Sequence, residues 1–85
     1  MHTVELLEHA TEAARRLGFK IREDWLGGAF GVCELRGSRW IFLDAARSPG
    51  DKLQMVLAAI RDEPGLNRMT LAPPLARMLD MRLTA

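Results

Sequence analysis

One thiol, two imidazoles and eleven carboxylates are the groups from which catalysis or metal binding would have to be built in this chain. Cys33 is the natural nucleophile candidate. A working cysteine needs a depressed pKa, from a helix N-terminus or a neighbouring cation or imidazole. Cys33 lies instead in mid-strand, between Val32 and Glu34 with Leu35 beyond. It reads as a packed core residue, slow to react with a thiol reagent in the native protein. His2 and His9 are seven apart on a predicted helix, which does not converge on one metal, and no further Cys or His completes a ligand set. No cofactor or metal is expected. Glu23-Asp24 and Asp62-Glu63 are sequence neighbours whose side chains diverge, so neither pair reads as an acid–base couple. The glycine-rich run Leu26-Gly27-Gly28-Ala29-Phe30-Gly31 lacks the G-x-G-x-x-G spacing and leads into a strand, so it reads as a hairpin connection or a bulge.

The elements that would position these groups are legible from periodicity and punctuation. Val4, Leu7, Ala10, Ala14 and Leu17 recur at helical steps and predict a helix over 3–17, with Thr3 as N-cap and Gly18 as the residue that ends it. Alternation predicts strands over 19–24, 29–35 and 39–44, joined by short turns as an antiparallel meander. Ser48-Pro49-Gly50-Asp51 is a helix start, with a Ser N-cap, Pro at the first helical position and an acid at the third. That helix runs to about Asp62, with Leu53, Val56, Leu57 and Ile60 as its apolar stripe and Pro64-Gly65 as its stop. An extended piece at 69–71 and a last short helix opened by Pro73-Pro74 complete the chain. The expected class is α+β: N-terminal helix, three-stranded antiparallel meander, second helix and short C-terminal helix, in one domain over residues 1–85.

With Ile21, Cys33, Leu35, Ile41 and Leu43 turned to the helices, the opposite sheet face is too apolar. Trp40 and Phe42 would point outward, joined by Phe30 and Val32 and with Trp25 nearby. A half-buried antiparallel sheet ordinarily carries polar residues there. Trp25, Phe30, Val32, Trp40 and Phe42 are therefore the candidate interaction surface, to be covered by the apolar tail 73–83 or by another chain.

Net charge bounds the partners. Twelve basic and eleven acidic residues alternate along the 85-residue chain to give +1. A nucleic-acid binder concentrates its Lys and Arg. Here only Lys20, Arg22, Arg36 and Arg39 cluster, offset by Glu23, Asp24 and Glu34, so nucleic acid is an unlikely partner. A lone cysteine excludes an internal disulfide, and Glu5, Glu8 and Glu12 stand where a signal sequence would be apolar. No run is long enough to span a bilayer, and a cytoplasmic protein is expected by elimination.

Two resemblances follow from these residues. Leu17-Gly18 through Arg22, Gly31-Val32-Cys33-Glu34-Leu35-Arg36-Gly37, Trp40-Ile41-Phe42-Leu43-Asp44 and Leu71-Ala72-Pro73-Pro74-Leu75-Ala76-Arg77-Met78-Leu79 resemble a group of short uncharacterised bacterial proteins, over nearly the whole chain. That resemblance implies no known activity. Leu57-Ala58-Ala59-Ile60-Arg61-Asp62-Glu63 is loosely similar to the helix of ImmA/IrrE-type metallopeptidases that carries H-E-x-x-H. Ala59 and Ile60 stand in place of the first His and the Glu, and Glu63 in place of the second His, so that likeness implies a shrunken, inactive relative without zinc. The expected function is a non-catalytic interaction or adaptor domain that self-associates, as a homodimer or with a protein partner. The alternatives are a small enzyme using Cys33, or a nucleic-acid-associated protein using Arg22, Arg36 and Arg39.

Overall fold

The computed structural model describes residues 2–25 and 31–79. Its elements, in chain order, are α1 (Thr3–Arg16), β1 (Phe19–Asp24), β2 (Gly31–Leu35), β3 (Ser38–Asp44), α2 (Pro49–Ile60), a 3₁₀ turn (Pro64–Arg68) and α3 (Pro73–Met78). This is the α+β class.

The helix starts and stops follow local chemistry. Ser48 caps α2, its Oγ accepting from Asp51 N at 3.1 Å, and Pro49 needs no partner for a missing N–H. Leu53, Val56, Leu57 and Ile60 of α2 are all buried, as their spacing predicts. At α1, His2 and not Thr3 holds the N-cap position, and it offers no side-chain bond. α1 ends where Gly18, at φ +98°, turns the chain in the left-handed region. The buried face of α1 is Ala10, Ala13 and Ala14, with Leu7 and Leu17 at its margin; Val4 is exposed. Small residues there let α1 pack closely beside α2. After the 3₁₀ turn, whose Leu66 is buried, the backbone is extended at Met69 and does not join the sheet.

The sheet departs from the expected meander. Its order is β1-β3-β2, with β2 antiparallel to β3 and β1 parallel to it. The β2–β3 hairpin is as predicted: Arg36 (φ 52°) and Gly37 (φ 79°) make the turn with both φ positive that suits a twisted hairpin. β1, however, pairs with β3 from Phe19↔Arg39 to Asp24↔Asp44. The reason is burial. β3 carries Ile41 and Leu43 into the core and takes the centre. β1 brings Phe19 and Ile21 against them and beneath α1. β2 has little to bury and is left at an edge.

Among the described residues, the helices cover one face of the sheet only. Between the two layers lie Phe19, Ile41, Leu43, Val56, Leu57, Ile60, Leu66, Leu75 and Leu79, in one continuous cluster. Burying one such large aliphatic side chain is worth roughly 2 kcal/mol. Lys52 of α2 pairs with Glu23 of β1, and Arg39 of β3 pairs with Glu63 beyond α2, tying the layers together at their margin. α3 packs on α1, on the helical side, with Leu75 and Ala76 buried. No helix among the described residues is long and apolar enough to cross a membrane.

Candidate functional site

Side chains alternate across a sheet, so the pairing register decides which residues share the uncovered face. Of β3, Ser38, Trp40 and Phe42 share one parity and floor the outer face. From β1 come Lys20 and Arg22, paired with Trp40 and Phe42. From β2 come Cys33, opposite Trp40, and Leu35, opposite Ser38.

Lys20, Arg22, Leu35, Ser38, Trp40 and Phe42, with Arg36 from the turn, build a groove of about 440 Å³. Its floor is aromatic. Trp40 and Phe42 stack with centroids 5.9 Å apart and ring planes 18° apart. The Lys20 ammonium stands 5.5 Å from the Trp40 ring centroid, a cation–π contact. Leu35, 51% exposed, and Ser38 close the hairpin end. The rim is basic: Lys20, Arg22 and Arg36 line the groove, and among the described residues no carboxylate does. Arg22 reaches Asp24 at 3.4 Å, but both side chains are largely in water and the pair is weak. The guanidinium remains available to another anion.

The structure separates residues that sequence reading had grouped. Val32 pairs with Ile41 and lies on the helical face, where with Met55, Ala58 and Ala59 it lines a second, smaller groove of about 190 Å³. Cys33 and Leu35, expected in the core, lie on the outer face and are exposed. The phase of β2 is thus inverted by one residue. Trp25 is 76% exposed, beyond β1 and outside the groove lining. Phe30 lies outside the described residues. Trp40 and Phe42 are where they were expected, half-buried on the outer face.

Arg39 also leaves the basic group. It projects from the helical face, where it pairs with Glu63, donates to Leu17 O at 2.8 Å, and stacks 4.1 Å from the Phe19 ring centroid. It clamps the end of α1 to β1 and the end of α2. The cations that share a face are Lys20, Arg22 and Arg36. Residues 73–79 of the apolar tail, one of the two candidate covers for the aromatic face, sit on the other side of the molecule, with Leu75 and Leu79 in the core, and residues 80–83 of that tail lie outside the described residues.

The remaining chemistry-bearing groups do not converge. His2 and His9 are exposed on α1. Glu23 turns to Lys52 while Asp24 turns to Arg22, and Asp24 Oδ1 accepts from Trp25 N at 2.8 Å. Asp44 is 2% exposed, and its Oδ1 accepts from Ala46 N at 3.0 Å, fixing the turn after β3. Among the described residues, no three His, Cys, Asp or Glu side chains approach closely enough to hold a metal. Ile60 of α2 is core, and Glu63 beyond the helix is engaged with Arg39. No family model, curated protein or solved structure matches this chain.

Proposed function

We propose that this chain is a non-catalytic protein-interaction or adaptor module, acting in the cytoplasm, whose outer sheet face receives an acidic, apolar-bearing segment of another protein. The observation that carries this reading is the groove lining: a stacked Trp40–Phe42 floor with three basic side chains and no carboxylate. An aromatic floor rewards an apolar or flat group, and an unbalanced basic rim rewards negative charge. Aromatics with Arg are also the residues that dominate binding energy at protein interfaces. A single-stranded nucleic acid would use the same two features. The overall charge of +1 favours the protein partner, because a polyanion is ordinarily met by a broad positive field.

The test uses a short synthetic peptide of alternating Glu and Phe, and a thymidine oligonucleotide, each titrated against tryptophan emission. The peptide should perturb Trp40, and Lys20→Glu with Arg36→Glu should weaken it by about tenfold or more. Trp25→Phe removes the second indole from the signal. Tighter binding of the oligonucleotide than of the peptide would transfer the face to nucleic acid. Peptide binding indifferent to both charge reversals would remove the basis of the reading.

A further inference from the structure

β2 is an edge strand, and no described residue pairs with its outer side. The hairpin geometry fixes what that side presents. Arg36 and Gly37 form a turn with both φ positive, and the residues flanking such a turn, Leu35 and Ser38, form a hydrogen-bonded pair. Hydrogen-bonded and non-hydrogen-bonded pairs then alternate back along the ladder. Cys33↔Trp40 bond to each other, so the N–H and C=O groups of Val32 and Glu34 point away from β3.

We propose that β2 pairs antiparallel with β2 of a second copy, about a two-fold axis through Cys33. This deepens the interaction-module reading by naming a second copy as one partner. It uses the strand edge and shares only Leu35 with the aromatic groove, so either idea can fail alone.

The strand's own sequence selects this register. Centred on Cys33, Val32 of each copy faces Glu34 of the other, and both outward backbone groups of each strand are satisfied reciprocally. Centred on Glu34, two carboxylates would stand directly opposite, which is unfavourable. Centred on Val32, the outward groups of Glu34 would have to pair beyond the strand. The chosen register also matches large to small. Leu35, half exposed in the single chain, lies opposite Gly31, where a side chain would meet nothing within 4 Å. Val32, 52% exposed, gains cover on the helical face. A two-fold interface is the commonest closed solution for a self-complementary edge. The result is a continuous sheet of six strands, twice the three in one chain, with a basic aromatic groove on each half.

The register makes a sharp geometric demand. Cys33 and its copy become a non-hydrogen-bonded pair, with Cα atoms about 4.5 Å apart. That falls inside the roughly 4.4–6.8 Å that a disulfide bridges. Leu35 and its copy, equally exposed on the same face, would stand about 13 Å apart, at four residues' rise.

The experiment is cross-linking with diamide, which takes up the two protons and two electrons released as two thiols join. Wild-type protein should form the Cys33-linked dimer at least about tenfold faster than a Cys33→Ser, Leu35→Cys variant, whose thiol is too far from its copy for a bridge. Val32→Pro should slow the wild-type reaction by a similar factor. Its lost N–H is one that points outward, so the β2–β3 ladder keeps its bonds, and circular dichroism should show an unchanged fold. Equal rates for the Cys33 and Leu35→Cys proteins mean random collision and overturn the proposal. So does a Cys33 that resists diamide in a native monomer, because its edge is then covered within its own chain. A folded Val32→Pro protein that still cross-links at the wild-type rate overturns the backbone pairing.

Discussion

Arg39 and Cys33 exchange the roles their positions in the sequence imply. Arg39 is one of a basic cluster in the chain, yet its guanidinium ends against Glu63, Leu17 O and the Phe19 ring. Its work is to fasten three elements. Arg39→Ala should lower stability by about 1–2 kcal/mol, since a charge-assisted bond to a part-exposed pair and a ring contact are lost together. Urea unfolding checks this, and an unchanged midpoint would show that the clamp contributes nothing. Arg39→Lys should recover little, because one ammonium does not serve a carboxylate, a carbonyl and a ring at once. Cys33 is an exposed thiol. In dilute native protein it should react with a thiol reagent at a rate close to that of the denatured chain. A native rate slowed a hundredfold would restore the buried cysteine that alternation predicts.

At the scale of elements, what the sequence reveals depends on how local the cause is. The α2 start was legible because its cap bond, its proline and its stripe all lie within a few residues of one another. Ser48→Ala should therefore cost about 1 kcal/mol in thermal unfolding, and a loss near zero would mean that tertiary packing alone holds that end. The β2–β3 turn was legible for the same reason. The phase of β2 was not. Gly31, Val32, Cys33, Glu34 and Leu35 have apolar residues at both parities, so alternation does not say which set is inward. Only the pairing Val32↔Ile41, which depends on the turn length, decides it. The position of β1 was illegible for a different reason. Adjacent strands in sequence commonly pair, and the parallel β1–β3 ladder is imposed by where Phe19 and Ile21 meet the helices. Of the candidate site, Trp40, Phe42, Lys20, Arg22 and Arg36 could be named in advance, while Leu35 joined it only through the register.

The molecule as a whole is two layers, and that asymmetry makes neighbouring residues of β3 unequal. Ile41 is 1% exposed between sheet and helices, whereas Trp40 faces the side that no described element covers. An 85-residue domain has a total stability of roughly 4–13 kcal/mol. Ile41→Ala leaves a cavity in the only core cluster seen among the described residues and should remove about 2–4 kcal/mol. That is a large share of the total. Trp40→Ala deletes a bigger side chain, yet it gives up only the stack on Phe42, the Lys20 contact and partial burial, about 1–3 kcal/mol together. The smaller side chain is thus expected to cost as much as the larger one or more. Chemical denaturation of both variants, at a concentration low enough to keep the chain monomeric, measures it directly. The same Trp40→Ala protein should lose the Glu–Phe peptide almost completely, because the aromatic floor is the groove's main apolar surface. A Trp40→Ala loss clearly larger than that of Ile41→Ala would mean that the outer face is packed within the chain itself. The open side of the sheet would then be core, and the groove would have no room for a partner.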